Sequence, residues 1–151
     1  MSLVDRLRTD YPEFKFLAGD VFRWSPTNSA VYYDAEDSSE HANLSLLHEL
    51  SHGILQHTQF SSDVQLIALE RQAWEQCRQL CAHYAIDFLD DHAEECMDSY
   101  RTWLYKRSDC PNCHATGLEA DKCHYTCFNC AQRWKVPLSQ AVLPRRFCLN
   151  T

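Results

Sequence analysis

The sequence predicts an α+β domain, a short sheet followed by about three main helices, with a small cysteine-bound appendage at its C-terminal end. Three observations carry this reading. Aromatic and β-branched segments broken by turn residues lie between positions 14 and 33, and apolar residues recur at helical spacing from about 42 to 105. Six of the nine cysteines crowd into the last 42 residues. The boundary between the two parts falls near residue 106, giving a main domain over 1–106 and an appendage over 107–151.

Along the chain, Ser2 to Thr9 reads as an opening helix with Leu3, Val4 and Leu7 on one side. Phe14 to Leu17, Val21 to Trp24 and Ala30 to Tyr33 read as short strands separated by Gly19, Asp20, Pro26 and Asn28, and so as a small antiparallel sheet. From Ala42 to about Gln56, Leu44, Leu47, Leu50 and Ile54 recur at helical spacing, with Ser38 or Ser39 placed to cap the approach. Ser61, Ser62 and Asp63 start the longest helix, whose apolar set runs from Val64 through Trp74, Cys77 and Cys81 to Tyr84 and Phe88. A further helix over Asp91 to Tyr105 places Cys96, Met97, Tyr100, Trp103 and Leu104 on its inner face.

Composition narrows the function classes. With 45% apolar and 23% charged residues, the 151-residue chain has the balance of a packed globular protein and not of a disordered or fibrous one. No apolar run approaches the roughly 20 residues that cross a bilayer, and the start MSLVDRLRTDYPEF carries charges where a signal peptide would be hydrophobic. A cytoplasmic location, reduced thiols and no membrane partner are therefore expected. Residues 1–100 hold 6 basic and 18 acidic side chains, whereas 101–151 hold 8 and 3, for a total of −7. That acidity argues against a protein that coats nucleic acid, and a few extra cations on a solvated tail need no partner.

The sharpest motif is His48-Glu49-Leu50-Ser51-His52, an HExxH sequence on the predicted 42–56 helix. A spacing of four puts both imidazoles on one face, one turn apart, where they can converge on a single Zn²⁺. Glu49 projects beside them, free to take a proton from a water at the ion and deliver it to a leaving amine. Composition alone gives about 0.025 such motifs in a chain like this one. Two histidines leave a tetrahedral ion short of ligands, so a third is expected from elsewhere with the fourth corner open. Glu70, 18 residues after His52 on the next helix and followed by Ala73, is the preferred donor. Its competitor Glu75 falls near the solvated face marked by Arg71, Gln72 and Gln76.

The run HELSHGILQH followed by LERQAW resembles the zincin metallopeptidases of gluzincin type, and within them the small ImmA/IrrE-type family, whose pattern is HExxH followed by a helix carrying ExxA. The resemblance covers about residues 20–90. It implies a zincin-like domain, zinc ligands at His48, His52 and Glu70, and a catalytic acid/base at Glu49. After ExxA the chain departs from the family's usual aromatic and small residue, with Trp74, Glu75, Gln76 and Cys77 standing instead. Metzincins fit less well, because Leu55 and Thr58 occupy the positions of their glycine and third histidine. SprT-like proteases also combine HExxH with a cysteine array, but they need a third histidine. His57, the only one between His52 and His83, reads as lying on the same helix, too near to reach the ion from another direction.

Cys110-Pro-Asn-Cys113 and Cys127-Phe-Asn-Cys130 are 13 residues apart, the spacing of a zinc ribbon. Each CxxC turn aims two thiolates at one ion, and a closed Cys₄ site of this kind is structural. His114, Cys123 and His124 are alternative ligands that break the paired symmetry. Arg133, Lys135, Arg145 and Arg146 with Trp134 and Phe128 could form a weak protein-binding or nucleic-acid-binding surface. Tyr32, Tyr33, His57, His83 and Tyr84 are available as oxyanion donors, and the strand Ala30 to Tyr33 could offer an open edge to an extended peptide. Cys77, Cys81 and Cys96 read as buried hydrophobes.

Three functions follow in order of preference. The first is a zinc peptidase with one catalytic and one structural Zn²⁺, acting on a peptide or protein substrate. The second is a non-catalytic zinc-binding recognition module, and the third a SprT-like protease working near DNA.

Overall fold

A computed structural model of the chain describes residues 1–138 and 146–149. They form an α+β arrangement of four helices and two small sheets that divides into two compact units. One unit comprises Met1–Gln59 and Leu69–Glu94, the other Phe60–Ala68 and the chain from Glu95 onward. This division is discontinuous and differs from a single boundary near 106, because the two long helices each contribute residues to both units.

In the first unit, α1 (Leu3–Asp10) starts at a capping box. The Ser2 hydroxyl accepts from the Asp5 N–H and the Asp5 carboxylate accepts from the Ser2 N–H, both at 3.2 Å. Strands β1 (Lys15–Gly19), β2 (Arg23–Ser25) and β3 (Ala30–Asp34) follow in the order β1-β3-β2. The turn after Pro26, closed by Ser29 at φ 48°, folds β2 and β3 into the expected antiparallel pair, with Trp24 opposite Val31. The β1–β3 pairing is parallel, so the sheet is mixed. The central place of β3 also corrects the expected open edge at Ala30 to Tyr33: the edges belong to β1 and β2.

Helix α2 (Ala42–Ile54) packs against β2 and β3 and buries Leu44, Leu46, Leu47 and Leu50. Neither expected serine caps it; His41 is the N-cap and Ser39 supplies only a backbone carbonyl to the Ala42 N–H. Helix α3 (Asp63–Tyr84) buries Ala73, Trp74, Cys77 and Cys81, although Val64 points to solvent at 66% exposure. Helix α4 (Asp90–Ser108) starts within the first unit, where Asp90 pairs with Arg78 of α3 at 2.7 Å.

The second unit carries a four-stranded antiparallel sheet of β4 (Leu118–Asp121), β5 (His124–Thr126), β6 (Arg133–Lys135) and β7 (Phe147–Leu149), in sequence order. Tyr125 and Trp134 are cross-strand partners whose rings stack at 5.6 Å over Cys110, Cys127 and Val136. Gly117 is required beside them, since a Cβ there would lie 2.4 Å from the Trp134 ring. The same unit holds a buried ionic knot. Arg107, 1% exposed, donates to Asp63 at 2.8 and 3.4 Å, and the Tyr125 hydroxyl donates to Asp63 at 2.5 Å. Among the described residues no helix is long and apolar enough to cross a membrane.

Candidate functional site

Helix α2 presents His48 and His52 on its buried face, and the first unit's part of α3 presents Glu70. The three residues converge. His48 Nε2 lies 3.1 Å from Glu70 Oε2, His52 Nε2 lies 3.2 Å from Glu70 Oε1, and the two Nε2 atoms are 3.3 Å apart. All three side chains are at least nine-tenths buried by residue. A carboxylate and two imidazole lone pairs aimed at one dry point require a cation or a proton between them. Burial pushes the Glu70 carboxyl up, but hydrogen bonds from His48 and His52 outweigh it and bring it to about 2. Burial likewise depresses His52, yet the Glu70 carboxylate and then the Glu49 charge leave it raised. Glu75, the competing donor, is exposed and takes no part.

Glu49 does not join the ligand set. Its Oε2 accepts the Trp24 backbone N–H of β2 at 2.7 Å, so the carboxylate is pinned to an edge strand of the sheet. Trp24 ties further parts of the site together. Its indole N–H donates to the His57 carbonyl at 2.9 Å, and its ring lies where a Cβ on Gly53 would come within 3.0 Å. Gly53 thus allows the close approach of β2 to α2. On the other side Trp74 stacks on His48 with ring centroids 4.0 Å apart, and His48 Nδ1 is buried without a partner.

His57 is not on the helix. α2 ends in a Schellman turn in which the His57 N–H bonds the His52 carbonyl and the Gln56 N–H bonds the Gly53 carbonyl, with Gln56 at φ 56° where glycine is usual. The reversal folds His57 back so that its Nδ1 meets His52 Nδ1 at 2.9 Å. A histidine expected to lie too near to reach the ion, and named only among the available oxyanion donors, is therefore the neighbour of a candidate ligand. The only sequence signal was its place five residues after His52, and without a glycine at position 56 the reversal was hidden. Of the other oxyanion candidates, Tyr33 accepts from Arg8 and Tyr84 donates to Asp10, Tyr32 accepts from Asn28, and His83 packs edge-on against Tyr84.

The four cysteines form a second group whose ligand atoms all lie within 4.8 Å of one another. Cys110 and Cys130 are 3.6 Å apart at sulfur, as are Cys113 and Cys127. The two knuckles have the same backbone. His114 N–H bonds the Cys110 carbonyl and Ala131 N–H bonds the Cys127 carbonyl, with His114 at φ 62° and Ala131 at φ 64°. Hydrogen bonding from Asn129 draws the Cys113 thiol down to about 6, favouring the thiolate, while burial pushes Cys110 up to about 11. His114 pairs with Asp109, His124 with Asp121, and Cys123 lies near Arg107, so none of the three alternatives enters the group.

Compared with family models, curated proteins and solved structures, the chain matches none. Its two clusters are each able to hold a metal ion. The expected binding surface on the appendage is reduced: Trp134 is fully buried and Arg146 pairs with Asp109, while Arg145 lies outside the described residues. Arg133, Lys135 and Phe128 are exposed.

Proposed function

We propose that the chain is a zinc-dependent peptidase of gluzincin type, akin to the ImmA/IrrE-type family, with a second zinc held structurally by Cys110, Cys113, Cys127 and Cys130. The observation that carries the reading is the convergence of His48, His52 and Glu70. A tetrahedral zinc with ligands at about 2.0–2.1 Å holds its ligand atoms about 3.3–3.4 Å apart. The two Nε2 atoms, 3.3 Å apart, are close to that spacing, and each lies 3.1–3.2 Å from a different oxygen of the Glu70 carboxylate. For four thiolates at about 2.3 Å the corresponding separation is about 3.8 Å, against 3.6 Å for the two close sulfur pairs. The third donor being Glu70 and not a histidine favours the gluzincin reading over the SprT-like one.

Zinc in the three-ligand site would supply a Lewis acid with a free corner for water or a carbonyl oxygen. The chain's own residues do the rest. Glu49 accepts the proton of the attacking water and returns it to the leaving amine, and the Trp24 N–H keeps its carboxylate aimed. An extended peptide would enter along the β2 edge, in place of β3, where the Trp24 N–H is already engaged by Glu49. The Cys₄ site has no open corner and holds the appendage folded.

Digestion of a peptide library by the purified full chain tests the reading. Cleavage should stop with a chelator and return with added Zn²⁺. A zinc-loaded chain that leaves the library intact would instead support the recognition-module reading.

A further inference from the structure

We propose that His57 is the positioning residue for the zinc ligand His52, and that Gln72 fixes His57 in the tautomer this requires. The inference rests on the three-ligand reading above and extends it to a pair of residues outside the ligand set.

Ligation of an ion through Nε2 would leave the proton of a neutral His52 on Nδ1. That nitrogen lies 2.9 Å from His57 Nδ1, which then accepts. A neutral His57 accepting at Nδ1 carries its own proton on Nε2. It lies 3.2 Å from the Gln72 side-chain oxygen, which accepts it. Held this way, His52 has only Nε2 to offer an ion, and that atom faces Glu70 and His48. Each link fits the next: ion, ligand imidazole, imidazole, amide oxygen. Metal-ligating histidines generally give their second N–H to an acceptor that fixes ring orientation and raises basicity, and that partner is usually a carboxylate or a backbone carbonyl. A neutral imidazole in this role orients His52 without adding negative charge, so an ion held by two imidazoles and one carboxylate keeps more of its positive charge.

Backbone and packing support the same assignment. The Schellman turn places its two contact residues, His52 and His57, against each other where apolar side chains usually meet. His57 is 7% exposed, and its carbonyl is held by the Trp24 indole, so the ring is fixed from both sides of its backbone. His48 is held by stacking on Trp74, and its Nδ1 is buried without a hydrogen-bond partner. Hydrogen-bond control of the ligand pair therefore lies on the His52 side.

The test is a zinc competition titration of the full chain, with cobalt substitution to report the ligand field. The Cys₄ site serves as internal control. His57→Phe keeps a ring but removes the acceptor, and should lower zinc affinity at the histidine site by about 10- to 100-fold. It should also shift the cobalt d–d bands of that site and leave the thiolate site unchanged. His57→Asn restores an acceptor atom at the δ position and should recover most of the lost affinity. Gln72→Leu, at an exposed position that folding tolerates, should give a smaller loss in the same direction. Wild-type affinity and unchanged cobalt bands in both His57→Phe and Gln72→Leu overturn the positioning role while the zinc reading stands. A wild-type chain that takes up zinc only at the cysteines overturns both.

Discussion

Glu49→Gln is expected to lower peptide hydrolysis by about 10²- to 10⁴-fold while both metal centres stay loaded. The substitution is nearly isosteric. A glutamine oxygen can still accept the Trp24 N–H that the Glu49 carboxylate accepts at 2.7 Å, so β2 and α2 keep their junction. What is lost is the basic oxygen, and with it the group that takes a proton from water and gives it to the amine. Zinc content should be unaltered because Glu49 is outside the His48, His52 and Glu70 set. Rates of library cleavage by wild type and variant, measured beside metal content, check this. Undiminished turnover in the variant would remove Glu49 from the chemistry.

Asp63→Ala should destabilise the zinc-loaded chain by about 3–5 kcal/mol, because it leaves the Arg107 guanidinium buried without its counter-charge. Arg107 is 1% exposed and Asp63 is fully buried. The pair is also satisfied in other directions: Tyr125 donates to Asp63, the Asp63 N–H donates to Glu119, Arg107 donates to the Pro137 carbonyl, and the Trp134 indole donates to the Arg107 carbonyl. Burial, and then the Asp63 carboxylate that accepts its proton, push the Tyr125 hydroxyl well above the usual phenol range. Removing one member therefore strands several polar groups at once. Denaturant unfolding with tryptophan fluorescence is a direct measurement, since Trp134 stacks on Tyr125 within the affected unit. The paired change Asp63→Leu with Arg107→Met should recover part of the loss, because a buried ion pair replaced by apolar side chains of similar volume is often neutral. A loss below 1 kcal/mol for Asp63→Ala would show that the knot is not a keystone of that unit.

What could be read from the sequence was what is encoded at short range. The four helices lie close to their apolar periodicity. The HExxH spacing puts two imidazoles on one helix face by geometry alone, and each CxxC turn is a local structure. Glu70 was reachable because one helix must follow another within a short chain, and an open site needs one more donor. What could not be read depends on contacts distant in sequence or on backbone conformations without a residue signature. The central position of β3 is set by pairing with β1 and β2 on its two sides, which strand propensity does not specify. Asp63 read as a helix start, and its engagement with Arg107, 44 residues later, left no trace. Gln56 adopts positive φ without being glycine, so the turn it closes was hidden. His57 was misplaced for that reason: continuing the helix through position 56 points it away from the site.

The most direct measurement of the central claim is the zinc content of the wild-type chain and of Glu70→Ala, by titration against a competing chelator. The account requires two ions per wild-type chain. It requires one tightly held ion in the variant, at the cysteines, with the histidine site weakened or lost. Two ions held with unchanged affinity in Glu70→Ala, or only one in the wild type, would contradict it.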